Sequence, residues 1–161
     1  GNGKIDEGDR YLYKSPFAPV TMGFGTDLNY KNWDLNITTR ANIGNYVYNN
    51  TQSRLDQFGE ITANSGFLRN IKANSNFQRH NDQSWLSDYY LENASFFKLD
   101  NITLGYTFPH TDKMYIRLYG TVQNVLTITK YSGLDPEVYG GIDNNFYPRP
   151  QTYLLGLNLN F

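Results

Sequence analysis

The opening segment Gly1 to Arg10, GNGKIDEGDR, gathers acidic and amide side chains at a spacing that could hold a cation. In the calcium-loop pattern D-x-[DN]-x-[DN]-G-x5-E, Gly3 takes the place of the glycine at position 6. Asn2 then falls at position 5 and Lys4 at position 7, where the backbone carbonyl is the ligand. Asp6 falls at position 9 and Asp9 at position 12. Calcium takes about six to eight oxygens, so clustered Asp and Asn at this spacing is sensible chemistry. The ligands of positions 1 and 3 would precede Gly1, and Asp9 is shorter than the usual bidentate Glu. The same residues also read as a solvated Asn-Gly turn, and both readings stay open.

The rest of the chain offers little reactive chemistry. Catalytic carboxylates of glycosidases stand about 5 to 10 Å apart across a substrate. Asp135 and Glu137, two residues apart on a loop, give no sign of that geometry. His80 and His110 have neither metal-ligand spacing nor a triad partner. With no nucleophile and base in view, the chain is expected not to be an enzyme. A net charge of −1 gives no electrostatic support for a nucleic-acid partner. The absence of cysteine neither requires nor excludes an oxidising compartment.

The elements that would position these residues are strands. In the last segment Tyr153, Leu155, Leu157, Leu159 and Phe161 share one parity, and Thr152, Gly156, Asn158 and Asn160 the other, broken by Leu154. Four earlier segments show the same period of two. Val20 to Tyr30 carries Met22, Phe24, Leu28 and Tyr30 on one parity. After a tight turn at Lys31-Asn32, Trp33 to Ile43 alternates Trp33, Leu35, Ile37, Ala41 and Ile43 with polar residues. A third strand runs from about Ser95 to Phe108, with Ile102, Leu104, Tyr106 and Phe108 opposing Asn101, Thr103, Gly105 and Thr107. Pro109 to Lys113 is a short turn. A fourth strand runs from about Met114 to Asn124.

Connections alternate between these short turns and two long polar loops, at about 44–94 and 125–149. A loop of the first length is out of place inside a compact soluble domain. It is the rule in outer-membrane barrels, where short periplasmic turns alternate with long extracellular loops. Strands of this length match a tilted membrane strand. Aromatics near strand ends (Tyr30, Trp33, Phe108, Tyr153, Phe161) fit interfacial girdles. Composition agrees: 16% aromatic with 14 Tyr and 10 Phe, only 18% charged, and 39% apolar. No apolar run approaches the roughly 20 residues of a membrane helix. The fold class expected is therefore all-β, a transmembrane antiparallel β-barrel. With Phe161 on the periplasmic side, residues 1–19 and both long loops are extracellular. The competing reading is a soluble carbohydrate-binding β-sandwich whose two faces are core and solvent. Five strands cannot close a membrane barrel, and no secretory signal opens the chain. A start well inside a longer protein is the expectation.

Several stretches then combine into a resemblance. They are GNGKIDEGDR; SPFAP at Ser15 to Pro19; LENASFFKLDNITLGYTFP at Leu91 to Pro109; QNVL at Gln123 to Leu126; YSGLDPEV at Tyr131 to Val138; and FYPRP at Phe146 to Pro150. Together they resemble the C-terminal end of SusC/RagA-type TonB-dependent outer-membrane transporters, nutrient importers of Bacteroidota. The resemblance covers essentially the whole chain, with its specific parts at Ser95 to Pro109 and the Pro-Arg-Pro ending. It implies about the last five strands of a 22-stranded barrel with an N-terminal plug, and a structural loop role for Leu134 to Val138, Asp135 and Glu137 included. It also implies uptake of glycan or peptide across the Gram-negative outer membrane, a SusD-like lipoprotein partner, and energy from the TonB complex through a part not in this chain. Calcium is the one cofactor expected, at Asn2, Lys4, Asp6 and Asp9. Tyr153, Leu157, Leu159 and Phe161 would form the terminal signal read by barrel-insertion machinery. Lumen-side Arg40, Arg117 and Gln123 would join a polar network with the plug. Tyr46, Tyr48, Trp85, Tyr89 and Tyr90 would pack in the loops or meet the lipoprotein and sugar rings.

Overall fold

The structure, a computed structural model, describes residues 7–56, 87–109 and 115–160. Strand β1 is Val20–Tyr30, β2 Trp33–Ile43, β3 Tyr46–Tyr48, β4 Leu91–Asn93, β5 Phe96–Phe108, β6 Tyr115–Thr129 and β7 Thr152–Asn160. One short helix, α1, spans Asn50–Leu55. Antiparallel pairing gives a five-stranded sheet in the order β1-β2-β5-β6-β7, with β3 and β4 forming a separate two-stranded ribbon. The main strands follow the expected alternation closely, and β1 and β2 coincide with it. Alternating Val, Ile, Thr, Leu and Tyr with no internal proline suits a pleated surface.

Register aligns like with like across the sheet. Tyr30, Trp33, Tyr106, Leu118 and Leu157 form one cross-strand row. Leu28, Leu35, Leu104, Gly120 and Leu155 form the next, followed by Thr26, Ile37, Ile102, Val122 and Tyr153. The opposite face carries the row Asp27, Asn36, Thr103, Thr121 and Leu154. The apolar face has no covering layer among the described residues: Leu155 is 89% exposed and Leu157 57%. A sandwich would bury this face against a second sheet, so the soluble β-sandwich expectation finds no support. No helix among the described residues is long and apolar enough to cross a membrane, which says nothing of strands.

Two expectations on boundaries need correction. The fourth strand does not end at Asn124, and the loop expected at 125–149 does not begin at Val125. Instead Asn124 takes a left-handed conformation (φ 53°) and the strand runs on to Thr129. Pairing steps from Asn101–Gln123 to Leu99–Leu126, so Asn124 and Val125 face the single residue Asp100, a β-bulge. A second shift lies between β2 and β5, again at Asp100. Asn tolerates left-handed φ because its short side chain bonds locally, and here its Nδ2 donates to the Pro150 carbonyl at 2.9 Å.

The stretch expected as a long polar loop, 44–94, contains α1 and the ribbon, apart from residues 57–86, which lie outside the described set. Asn49 caps α1 by accepting from the Gln52 amide. Val47, Ala94 and Tyr131 pack as a small buried cluster, so both long loops share one core. The Lys31-Asn32 turn is present, with Lys31 at φ 56°. The turn after Pro109 falls outside the described residues.

The bulge makes a prediction. Asn124→Gly keeps the left-handed residue and loses one exposed hydrogen bond, costing about 0.5–1.5 kcal/mol. Asn124→Val adds the steric penalty of that conformation, about 1–2 kcal/mol more. Denaturant midpoints of the refolded protein in detergent measure both, and equal midpoints would rule out the bulge geometry.

Candidate functional site

Chemistry on this molecule concentrates on the polar face. At its loop end, β2 presents Arg40, and β5 presents Lys98 and Asp100. The loop after β6 lays Asp135 and Glu137 against them. Lys98 Nζ donates to Asp135 Oδ1 at 2.9 Å and to Glu137 Oε2 at 3.0 Å. Its side chain is only 7% exposed. Arg40 Nε donates to Asp100 Oδ2 at 2.8 Å, and its two terminal nitrogens engage both Glu137 oxygens, Nη2 to Oε2 at 2.9 Å. Arg149 adds a longer contact to Glu137, 3.7 Å. The Phe96 ring lies under both cations, 5.2 Å from Lys98 Nζ and 6.0 Å from the Arg40 guanidinium.

Three cations thus meet three carboxylates, and the seam is charge-balanced. Burial alone would raise the Glu137 carboxyl, but the hydrogen bonds from Arg40 and Lys98 outweigh it and hold the group below its ordinary range. A carboxylate so tied is neither a general acid nor a free nucleophile. This is consistent with the structural role expected for Asp135 and Glu137.

A second pair sits nearer the turn end. Arg117 Nε donates to Asp34 Oδ1 at 2.8 Å, and its Nη2 reaches the other oxygen. The pair crosses directly over Gly105: a Cβ there would lie 2.4 Å from Asp34 Oδ1 and 2.6 Å from Arg117 Nη2. Tyr119 lies flat over Gly156 in the same way, 2.2 Å from a would-be Cβ, with the Arg117 guanidinium 4.8 Å from its ring centre. Glycine on this face is therefore the floor under which charged and aromatic side chains lie flat. Between the two charged zones, Thr103 and Thr121 share a hydrogen bond at 2.8 Å.

Above the seam the loops lock together. Tyr131 Oη donates to Asp143 Oδ2 at 2.6 Å, and Asp143 Oδ1 accepts the amides of Asn145 and Phe146. Burial, then this bond, pushes the Tyr131 hydroxyl up. Asn49 Nδ2 donates to Glu92 and Ser132, and Glu92 accepts from Ser132 twice.

Several expected site residues fare differently. Asn2, Lys4 and Asp6 lie outside the described residues, as do Phe161, His80, His110 and Trp85. Asp9 sits in an exposed turn, Glu7–Asp9, and no group of three or more His, Cys, Asp or Glu is placed to hold a metal among the described residues. Tyr153, Leu157 and Leu159 line up on the exposed apolar face of β7. Arg40 and Arg117, expected to join a polar network with the plug, bond to carboxylates of this chain. Gln123 stands opposite Asn101 and Thr152 on the same face. Tyr48 and Tyr90 are buried, whereas Tyr89 is exposed. Lys98 and Asp100 were missed. Their signal was present: two charges on the parity of Ile102 and Leu104 announce a register shift.

The polar-face geometry yields a matched prediction. Gly105→Val should cost about 1–3 kcal/mol by lifting the Asp34–Arg117 pair. Gly23→Val, where nothing lies within 4 Å of the added Cβ, should stay within about 0.5 kcal/mol. Unfolding midpoints in detergent compare them, and equal costs would mean the crossing is unimportant.

No known protein-family profile matches the chain. Individual relatives do. TonB-dependent receptor SusC of Bacteroides thetaiotaomicron is 42% identical over 172 residues, spanning 100% of this chain and 17% of its own length. TonB-dependent receptor P3 of Formosa agariphila is 33% identical over 185 residues, spanning 100% of this chain and 18% of its own length. Among solved structures, the RagAB peptide importer in its closed-closed state superposes with a TM-score of 0.73 at 25% identity, covering 99% of this chain and 20% of that one. Its open-open state gives 0.67 at 26%, covering 93% of this chain and 18% of that one. The chain thus spans about a fifth of the length of these relatives. Along the whole of that span, in sequence and in strand arrangement, the chain belongs to the SusC/RagA-type TonB-dependent receptors.

Proposed function

We propose that this chain forms an arc of the wall of an outer-membrane nutrient importer. Its apolar face meets lipid, its polar face lines the lumen, and both long loops stand on the cell exterior. The observation that carries this reading is the single-layered sheet. Its apolar rows remain exposed while its charges are paired on the other face. Lipid is the solvent in which such an exposed apolar face costs nothing. Among the described residues both sheet edges, β1 and β7, also present unpaired backbone groups that hydrocarbon cannot satisfy. Pairing with strands from the remainder of the receptor resolves both. In this reading the plug and the TonB-contacting segment belong to that remainder.

The cargo is a nutrient of the glycan or peptide class, and the naming of RagAB as a peptide importer supports the peptide end. A SusD-like lipoprotein would sit on the loop end. There Tyr139 is 94% exposed and Tyr147 89%, aromatic area of the kind that anchors interfaces. The calcium loop of Asn2, Lys4, Asp6 and Asp9 stands on the sequence pattern. Calcium titration of the full receptor by calorimetry should show one site lost in Asp6→Ala; an unchanged isotherm removes it.

The membrane reading is tested on one strand. Leu157→Arg should destabilise the receptor by about 2–4 kcal/mol as a mid-strand lipid-facing charge. Asn158→Arg, on the opposite face, should be tolerated within about 0.5–1 kcal/mol. Refolding into lipid vesicles measures both. Equal penalties, or a receptor that extracts from cells without detergent, would return the soluble binding module to favour. The same detergent extract should retain a lipoprotein; a receptor that purifies alone argues against that partner.

A further inference from the structure

The loop after β6 is tied down in an unusual way. Residues 130–149 leave the sheet at the end of β6; their seat on the polar face of the sheet is made by side chains, and their backbone pairing is a bridge from Ile142 to Tyr48 in the loop core. Asp135 and Glu137 supply the loop's half, Arg40 and Lys98 the sheet's half. Pro136 between the two carboxylates is among the fully buried side chains, so they enter the seam on a fixed backbone. Asp135 Oδ1 also accepts the Glu137 amide at 2.9 Å, which orients the second carboxylate. Lys98 touches both and is almost wholly buried, so it is the single charge on which the loop's two anchors converge.

We propose that residues 130–149 are a strap seated over the rim of the polar face by an electrostatic latch centred on Lys98. Removing that charge, or protonating Glu137, releases the strap as a unit while the five-stranded sheet stays folded. This goes beyond the wall reading and holds whichever solvent the apolar face meets. Among the described residues, the charged groups facing Glu137 are Arg40 from β2, Lys98 from β5, Arg149 and Asp135 from its own loop, and Asp100 one step away across Arg40.

The pH dependence has a definite sign. A carboxylate held below its ordinary value contributes stability that is complete above that value. It is lost as pH falls through the lower, folded value. The strap is therefore seated at neutral pH and unseats below 4.5, the ordinary value for Glu. Lowering the pH to that range leaves strand hydrogen bonds between backbone amides untouched. The release is thus local to the strap and the loop core that it joins at Tyr131 and Asp143.

Hydrogen exchange by mass spectrometry on the full receptor in detergent decides the matter. The reporters are strap amides with defined acceptors: Ser132 to Glu92, Glu137 to Asp135, Gly141 to the Val138 carbonyl, and Asp143 to the Tyr48 carbonyl. Amides of β5 and β6 are the internal reference. In Glu137→Gln and Lys98→Met, strap amides should exchange roughly ten- to a hundredfold faster at neutral pH, the factor for losing charge-assisted hydrogen bonds. Strand amides should be unchanged. In the wild type, after correction for intrinsic rates, acid should bring the same acceleration, and at Gly141 and Asp143, whose acceptors are backbone carbonyls, Glu137→Gln should show a smaller further acid effect than the wild type. Lys98→Met leaves carboxylates without their central cation and can fail to assemble, so Glu137→Gln carries the test alone where it does. Strap protection equal to wild type in Glu137→Gln at neutral pH would overturn the latch. So would strap and strands exchanging together, since the strap would then not be a separate unit.

Discussion

A β-strand sends successive side chains to opposite faces, and a single sheet has no second layer in which to bury either. In this chain that constraint is met by keeping the two faces chemically unlike along the rows of the sheet, with few exceptions such as Leu154 on the polar side. Antiparallel register places Leu28, Leu35, Leu104 and Leu155 in one line, and Asp27, Asn36, Thr103 and Thr121 in the neighbouring line on the other side. A slip of one residue in any strand would put a Leu among the threonines and an Asn among the leucines. Register is therefore fixed by the faces themselves, without a buried core to enforce it. The cost of crossing the faces is greatest for a charge, and the polar face deals with its charges by pairing them close to the sheet surface. The Asp34–Arg117 pair can lie that low because Gly105 gives it room, as Gly156 gives Tyr119 room.

The bulge at Asp100 is what allows a long hairpin to obey the same rule beyond the regular part of the sheet. Counted by parity from Ile102 and Leu104, Lys98 and Asp100 would land on the apolar face. One extra residue in β5 relative to β2 returns Lys98 to the side of Arg40, where its neighbours in the pairing are Arg40 and Thr127. Phe97 and Leu99 move to the apolar side and align with Ala41, Ile128, Thr39 and Leu126. A further extra residue in β6, held by Asn124 in its left-handed conformation, keeps Leu126 and Ile128 in line with them. Two irregularities thus preserve two smooth faces, and the seam of Arg40, Lys98, Asp100, Asp135 and Glu137 exists only because of them.

What could be read from the sequence followed from the same period. The five long strands, their short and long connections and the contrast of their faces were legible because alternation is a local property. The extension of β6 past Asn124 was not, since QNVLTIT breaks the period at the residue that the bulge absorbs. The ion seam was not legible as a contact, because it joins β2, β5 and a loop that are distant in sequence. Its trace, charges at Lys98 and Asp100 on an apolar parity, becomes meaningful only once a register shift is allowed. The loop core was hidden for a different reason. Val47, Ala94 and Tyr131 come from three segments with no common period, and most of what they bury around them is polar: Asn49, Ser53, Asp56 and Asp143. A polar composition reads as solvated loop when it is met in sequence.

The two parts of the molecule differ in what holds them. The sheet has backbone pairing along strands of 9 to 15 residues, interrupted at the bulges by Asp100, and each row of side chains reinforces its neighbours. The loop core has Val47, Ala94 and Tyr131 in its buried cluster and the buried rings of Tyr48 and Tyr90 in contact with each other, and otherwise relies on hydrogen bonds, each worth about 1 kcal/mol net against water. Such a unit cannot offset the entropy of ordering its own backbone at about 1–2 kcal/mol per residue. It must borrow rigidity from the strands that enter and leave it. Dependence therefore runs one way: the loops need the sheet, whereas no strand pairing of the sheet passes through the loops. In a molecule built like this the loop end has the lowest free energy of local opening. Its attachment to the sheet comes down to backbone continuity, the seam of ion pairs and a few side-chain hydrogen bonds such as Asn124 to Pro150 and Thr129 to Ser95. Variation in loop length and content can accumulate there without disturbing the faces below, provided the residues that seat the strap keep their charges.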